Sequence, residues 1–147
     1  MENKKSKNYA VLAVLVIVLV IIAMFGVYGY FILGKGAPKI EVAPSSYDFG
    51  DILYEKVEHT FLIKNTGTKL LEIKGVSTSC GCTKAAVESE KIMPSETTNL
   101  LVTFDPNIMG DNEVGKILRI IYVKSNDPEQ PEVEIKITAN VIKIKDF

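Results

Sequence analysis

The ten residues Glu132–Val141, EVEIKITANV, alternate polar and apolar side chains along their whole length. A period of two places successive side chains on opposite faces of an extended chain, so one face can enter a core while the other meets water. The pattern therefore predicts a half-buried β-strand. Its apolar positions are Val133, Ile135, Ile137, Ala139 and Val141, and its polar positions are Glu132, Glu134, Lys136, Thr138 and Asn140.

Three further stretches indicate strands by the same reasoning. Residues 115–124, GKILRIIYVK, are more continuously apolar and β-branched, which is typical of a strand that lies at the centre of a sheet or is covered on both faces. The other two alternate in the manner of half-buried strands, at Leu100, Val102 and Phe104 and at Val57, His59, Phe61 and Ile63.

Residues that favour turns separate these stretches. They are Asn65-Thr66-Gly67, Met93-Pro94-Ser95, Asp105-Pro106-Asn107, Met109-Gly110-Asp111-Asn112 and Ser125-Asn126-Asp127-Pro128. We predict an all-β fold, an antiparallel Ig-like Greek-key β-sandwich of about seven strands, preceded by one N-terminal transmembrane α-helix. The chain has no Trp, so the core must depend on Phe49, Phe61, Phe104 and the aliphatic side chains.

Several spaced motifs carry a family resemblance. They are Asp48-Phe49-Gly50, residues 61–67 (FLIKNTG), Ser79-Cys80-Gly81-Cys82-Thr83, Phe104-Asp105-Pro106 and Ser125-Asn126-Asp127-Pro128. Over residues 40–141 the chain resembles the bacterial domain-of-unknown-function family 1573, whose members carry a Cys-Gly-Cys motif in a Hydin-type, Ig-like β-sandwich. The resemblance implies that fold and a location in the cell envelope, and it implies no activity. The family commonly has Pro-Gly-Glu where this chain has Pro94-Ser95-Glu96, so we expect a different local turn there.

The N-terminal region predicts a membrane span. No charged residue occurs between Lys7 and Lys35, and residues 9–33 read YAVLAVLVIVLVIIAMFGVYGYFIL. About 20 apolar residues suffice to cross the hydrocarbon layer as a helix. The alternative, a cleaved signal peptide, normally has a shorter apolar region of about 7–15 residues and a small-x-small cleavage site, and residues 34–38 offer no such site.

The flanking charges predict the orientation of this span. Lys4, Lys5 and Lys7 precede it, and Lys35 and Lys39 follow it. The positive-inside rule then assigns residues 1–8 to a cytoplasmic stub, 9–33 to the anchor, 34–38 to a short linker and 39–147 to an extracytoplasmic domain. We therefore expect a single-pass protein of the cell membrane that contacts the lipid bilayer through its N-terminal helix.

Cys80 and Cys82 are the main candidates for chemistry. Residues i and i+2 of an extended strand are about 6.6 Å apart, at the upper edge of disulfide geometry, so a bond between them needs a bend at Gly81. Such a disulfide would close a very small ring, add little stability and be readily reduced. Three interpretations stay open: two packed free thiols, a reversible redox pair, and a soft-metal site for copper or zinc.

His59 is the only histidine and the possible accessory ligand of such a metal site, with Met93 and Met109 as further donors if folding brings them close. The alternative is a structural histidine that is hydrogen-bonded to the backbone. Arg119, the only arginine, interrupts an apolar stretch, and we expect it to reach the surface or to pair there.

The remaining features predict a binding protein rather than an enzyme. With 17 Lys+Arg against 18 Asp+Glu, the chain lacks the basic excess of a general nucleic-acid binder. No phosphate-binding loop, paired-carboxylate motif or metalloprotease motif occurs, so we expect no enzyme activity and no cofactor. We predict a protein-binding or scaffold module with an envelope protein as its partner, and thiol-redox or soft-metal handling by Cys80 and Cys82 as the alternative.

Overall fold

The computed structural model describes residues 3–33, 36–110 and 114–142. Contacts divide the chain into two units, Met1–Gly36 and Ala37–Phe147. The first contains helix α1 (Asn3–Leu33). The second contains strands β1 (Ile40–Ala43), β2 (Ser46–Ile52), β3 (Val57–Asn65), β4 (Leu71–Thr78), β5 (Thr83–Val87), β6 (Lys91–Ile92), β7 (Thr97–Phe104), β8 (Gly115–Ser125) and β9 (Glu132–Val141), with a 3-10 helix (Pro106–Met109) between β7 and β8.

The strands form two sheets, which confirms the predicted sandwich. One sheet has the order β1-β3-β7-β5, and the other has the order β2-β9-β8-β4-β6. The described part of the chain thus has nine strands rather than about seven. The first strand region divides at Pro44 into β1 and β2, which join different sheets, and β6 has only two residues. The pairing of β2 with β9 is parallel, so the sandwich is antiparallel in all but this ladder.

The core lies between the two sheets and follows the alternation in the sequence. All five apolar positions of β9 are buried, as are Phe61 and Ile63 of β3 and Leu100, Val102 and Phe104 of β7. Burial of such side chains contributes roughly 1.5–3 kcal/mol each, so these strands supply much of the stabilisation. Strand β8 lies at the centre of its five-stranded sheet, as predicted, although Leu118 on its outer face is 51% exposed.

The turn after β3 is organised by Asn65, which is completely buried. Its Nδ2 donates hydrogen bonds to the carbonyl oxygens of Lys69 and Ile92, at 2.8 and 2.9 Å. Its Oδ1 accepts from the Gly67 N–H at 2.9 Å. A Cβ at Gly67 would lie 2.5 Å from the backbone nitrogen of Lys39, so only glycine allows residues 37–39 to pack so closely here.

The loop between β8 and β9 is closed by Asp127. Its carboxylate accepts hydrogen bonds from the backbone N–H groups of Ile40, Glu129 and Gln130. Burial raises the pKa of Asp127, but these three donors together outweigh that effect and hold the pKa below its usual value. The interaction ties β1 of one sheet to a loop of the other.

The predicted turn at Pro94-Ser95-Glu96 keeps a glycine-like conformation without glycine. Ser95 has φ 70°, which lies in the left-handed region. The Ser95 N–H donates to the Asn65 carbonyl, and the Glu96 N–H donates to the Met93 carbonyl. These bonds maintain the conformation despite the cost of a Cβ there.

Helix α1 contains an apolar segment, Leu12–Tyr30, with a mean hydropathy of 2.9. Its side chains are exposed along the segment apart from the half-buried Gly29. By length and composition the helix is compatible with a membrane anchor and with a signal peptide.

Candidate functional site

The Cys80-Gly81-Cys82 motif occupies the turn between β4 and β5. Strand β4 ends at Thr78 and strand β5 begins at Thr83, and these two strands belong to different sheets. The motif therefore lies in a crossover from one sheet to the other, at one end of the sandwich.

Cys80 and Cys82 form a disulfide. Their Cα atoms are 5.3 Å apart, closer than in an extended strand, so the expected bend is present. The interpretation of two packed free thiols is therefore wrong. The bend does not use the left-handed region at Gly81, and a Cβ there would meet no atom within 4 Å. Glycine is not required at this position by backbone conformation or by space.

Backbone and hydroxyl groups hold the turn in place. The Thr78 hydroxyl lies 2.9 Å from the carbonyl oxygens of both Cys80 and Thr83. The Ser79 N–H donates to the Ile120 carbonyl, and the Ile120 N–H donates to the Ser79 hydroxyl oxygen at 3.0 Å. These bonds fix the turn against the central strand β8.

The two sulfur atoms have different surroundings. Cys82 is only 4% exposed, whereas Cys80 is half-buried. The Arg119 Nε donates to the Cys82 Sγ at 3.2 Å. The neutral Thr83 hydroxyl lies 3.4 Å from the Cys80 Sγ and 3.9 Å from the Cys82 Sγ. The disulfide is thus asymmetric in both exposure and electrostatics.

Arg119 is held by further contacts. Its Nη2 donates to the Met109 Sδ at 2.9 Å, and its Nη1 donates to the Leu118 carbonyl at 3.0 Å. The expectation of a surface arginine was incomplete, because this side chain connects β8 and the 3-10 helix to the disulfide. The signal in the sequence was a lone arginine within an apolar strand, but its partner lies 37 residues away.

A small cleft of about 180 Å³ opens beside Cys82. Two cationic residues, Lys56 and Lys84, line it together with one acidic residue, Asp105. The cation in direct contact with the Cys82 Sγ is Arg119, whereas the Lys56 ammonium is paired with Glu58 at 3.2 Å. Such surroundings favour a thiolate over a thiol.

His59 does not join the cysteines. His59 lies opposite Val102 on the β3 side of β7, whereas Cys82 lies on the β5 side, where its carbonyl accepts from Asp105 just beyond the end of β7. Its ring stacks on Tyr47 with centroids 3.5 Å apart and meets Phe61 edge-on. Its Nε2 is buried with no hydrogen-bond partner, so the expected backbone hydrogen bond is absent at this atom. Burial lowers the pKa of His59.

The possible metal donors are therefore only partly assembled. Met109 contacts Arg119, which in turn contacts the Cys82 Sγ. Met93 lies in the turn that contacts Asn65, at the end of β3 far from the disulfide. Among the described residues, no group of three His, Cys, Asp or Glu side chains could hold a metal ion.

The edge of β5 next to the disulfide is unpaired. The Cys82 carbonyl accepts from Asp105 and the Glu88 N–H donates to Asn99, which fixes the alternation of hydrogen bonds between β5 and β7. By that alternation, the N–H and C=O groups of Ala85 and Val87 point away from β7. Nothing in the described part of the chain pairs with them.

A polar groove of about 490 Å³ crosses β2, β8 and β9 on the outer face of the five-stranded sheet. Asp48 accepts a hydrogen bond from the Gly50 N–H, and this bond lowers the Asp48 pKa together with a hydrogen bond from the Thr138 side chain and the positive charge of Lys116 nearby. The Asn140 amide donates to Asp51 at 2.8 Å. These polar groups satisfy one another.

Comparisons with solved structures place the fold. A protein of unknown function from Porphyromonas gingivalis W83 is 26% identical, with a TM-score of 0.65 over 70% of this chain and 46% of that one. The ASH/PapD-like domain 7 of human CEP192 is 14% identical, with a TM-score of 0.57 over 74% of this chain and 89% of that domain. The Escherichia coli chaperone DraB is 12% identical, with a TM-score of 0.52 over 74% of this chain and 58% of that chain.

The two-sheet fold is that of an Ig-like β-sandwich, and a PapD-like domain is among its structural neighbours. The family model described as a protein of unknown function, DUF1573, matches residues 40–141, and the chain belongs to this family. The chain spans less than half of the Porphyromonas gingivalis protein. Curated proteins include no match to this sequence.

Proposed function

We propose that this chain is a single-pass membrane protein whose helix α1 anchors an extracytoplasmic Ig-like domain, and that this domain binds a protein partner in the cell envelope. The N-terminus lies in the cytoplasm, and the lipid bilayer contacts α1. The domain acts as a tethered scaffold, and the observation that carries the binding role is the unpaired edge of β5.

The anchor is supported by the composition of α1. The segment Leu12–Tyr30 is long and apolar enough to cross the bilayer, and three lysines precede it on the N-terminal side. We expect full-length chain in the membrane fraction after carbonate extraction, and we expect external protease to digest the domain on intact cells or spheroplasts. Release of a shortened chain would indicate a cleaved signal peptide instead.

The β5 edge supports binding because the other sheet edges are less suited to pairing. Strand β6 has two residues, β1 has four, and β2 is interrupted by a bulge between Asp48 and Asp51. Strand β5 offers outward N–H and C=O groups at Ala85 and Val87 on a regular five-residue edge. An extended segment of a partner can add to such an edge as a further strand.

This role can be tested by removing one outward donor. Ala85→Pro deletes an N–H that β7 does not use, so the domain should keep its fold. A photo-cross-linking residue at Ala86, which is exposed, should yield a protein adduct in intact cells. We expect Ala85→Pro to reduce that adduct at least about fivefold, because main-chain pairing supplies much of the affinity in this mode.

Val42→Pro provides a matched control. By the register of β1 with β3, the Val42 N–H also points away from its neighbour strand, but on the opposite edge of the same sheet. The adduct should survive this change. No adduct, or an adduct that Ala85→Pro and Val42→Pro affect equally, would contradict binding at β5.

Reversible thiol–disulfide exchange at Cys80 and Cys82 is a second candidate function. The contact between Arg119 and the Cys82 Sγ favours it, because a cation beside a sulfur stabilises the thiolate that exchange requires. Soft-metal binding has less support, since the described residues supply no third His, Cys, Asp or Glu ligand. Thiol titration of the isolated full chain, before and after mild reductant, should show zero and then two reactive thiols. A pair that mild reductant leaves unopened would eliminate this candidate.

A further inference from the structure

The structure assigns different roles to the two cysteines in thiol exchange: Cys80 is the sulfur that an incoming thiolate attacks, Cys82 is the leaving group, and Arg119 stabilises the departing thiolate. This inference rests on the second candidate function. The attacking group is a thiolate from a partner protein or a small-molecule thiol.

Access determines which sulfur is attacked. An incoming thiolate must approach a disulfide sulfur from the side opposite the S–S bond. Cys82 is 4% exposed. The Arg119 Nε and the Thr83 hydroxyl contact its Sγ, and Met109 in turn contacts Arg119. Cys80 is half-buried between the exposed residues Ser79 and Gly81. Cys80 is thus the more exposed of the two cysteines, and we take its Sγ as the target of attack.

Electrostatics also favours attack on Cys80 with Cys82 as the leaving group. When the S–S bond breaks, the electron pair stays on the sulfur that leaves, and exchange is faster when that thiol is the more acidic. The Arg119 Nε lies 3.2 Å from the Cys82 Sγ, whereas the group that contacts the Cys80 Sγ at 3.4 Å is the neutral Thr83 hydroxyl. The guanidinium stays protonated under all ordinary conditions. Cys82 is thus the better leaving group.

Attack on the disulfide exchanges one S–S bond for another. The incoming thiolate forms a new S–S bond with the Cys80 Sγ, the bond between Cys80 and Cys82 breaks, and Cys82 becomes a thiolate beside Arg119. In the reverse direction the Cys82 thiolate attacks the Cys80 Sγ of the mixed disulfide and expels the partner thiolate. The partner dithiol or disulfide supplies or accepts the electrons in a complete cycle.

The test uses the oxidised full chain in detergent micelles and glutathione as the probe thiol. Samples are quenched with acid, which stops thiolate exchange, and are digested with pepsin so that fragmentation mass spectrometry can locate the adduct. We expect glutathione on Cys80. Predominant attachment to Cys82 would overturn the inference, while the exchange function itself would survive.

Variants of Arg119 test the stabilising role. Arg119→Gln should slow opening by glutathione about tenfold, because loss of a contacting cation raises a thiol pKa by about two units and the exchange rate depends on about half of that change. Arg119→Lys keeps the charge and should stay within about threefold of the wild-type rate. Lys116→Gln removes a cation from the same strand that does not contact the sulfur, and it should change the rate less than about twofold.

An unchanged rate in Arg119→Gln, or an equal loss in Lys116→Gln, would overturn the role of Arg119. No opening of the wild-type disulfide, and so no adduct on either cysteine, would instead show that the exchange function itself fails. If Arg119→Gln does not fold, the acidity of the two thiols is compared in the single-cysteine variants Cys80→Ser and Cys82→Ser instead. The alkylation rate of the remaining Cys82 thiol in Cys80→Ser should have a lower pH midpoint than that of the remaining Cys80 thiol in Cys82→Ser, and the reverse order of midpoints would overturn the inference.

Discussion

His59 shows how one aromatic cluster can report on pH. Its ring is stacked on Tyr47 from the other sheet, and its Nε2 has no hydrogen-bond partner. Burial lowers the pKa of His59 from its usual 6.5, so the folded domain disfavours the protonated ring. The cluster is therefore sensitive to acid in a range where few other groups titrate.

We expect the domain to lose stability as the pH falls from about 7.5 to 5. The unfolded chain takes up a proton near pH 6.5, while the folded state does so only at lower pH, so the stabilisation is complete above the unfolded pKa and is lost as the pH falls through the folded pKa. Thermal unfolding followed by circular dichroism should give a lower Tm at pH 5. Because this is the only histidine, His59→Phe, which keeps an aromatic ring, should remove most of the dependence. An equal fall in Tm in that variant would contradict the assignment.

Single residues also mark the limit of sequence reasoning about the site. The cysteine spacing predicted that a disulfide needs a bend, and the structure has both. The contact of Arg119 with Cys82 could not be predicted, because it depends on the packing of β8 and the 3-10 helix against a turn far away in sequence. The stacking of His59 depends likewise on which strands face each other across the sandwich.

At the scale of elements, we expect opposite effects from adding a side chain at the two turn glycines Gly67 and Gly81. A Cβ at Gly67 would lie 2.5 Å from the Lys39 nitrogen and 2.7 Å from the Pro38 carbonyl carbon, whereas a Cβ at Gly81 would meet open space. Gly67→Ala should lower the free energy of unfolding by about 2 kcal/mol through overpacking. Gly81→Ala should change it by less than about 0.5 kcal/mol.

Guanidinium unfolding of the two variants checks this difference, with each serving as the control for the other. Gly81→Ala should also keep the disulfide, as judged by the absence of titratable thiol. If both variants lost stability equally, the close packing of residues 37–39 on Gly67 would not be what selects glycine there.

The strands were the most predictable elements because alternation directly records burial. Every predicted apolar position of β9 is buried, and so are Leu100, Val102 and Phe104 of β7. The division of β1 from β2 was not predictable, because it depends on Pro44 ending one ladder and on the chain joining β9 in parallel. The two-residue β6 is too short to carry a periodic signal.

At the scale of the whole molecule, the disulfide is a weak structural constraint. It links residues only two apart, so chain entropy gives it about 1.5 kcal/mol or less. We expect the reduced domain to remain folded, with circular dichroism in guanidinium showing a loss of less than about 2 kcal/mol. The double variant Cys80→Ser, Cys82→Ser should behave like the reduced protein. Unfolding on reduction alone would contradict this and would make a reversible exchange role untenable.

The entry of the chain into the domain and the disulfide lie at opposite ends of the sandwich. Residues 37–39 enter the domain against Gly67, where the Thr66 and Thr68 N–H groups donate to Lys39 and Ala37. The sulfurs lie beyond the other end of β3, roughly 30 Å away along its nine residues. A mechanical load applied at residues 37–39 would therefore reach the four-residue β1 before it reaches the ladder between β3 and β7. The longer ladder between β3 and β7 would shield the Cys82 environment from that tension.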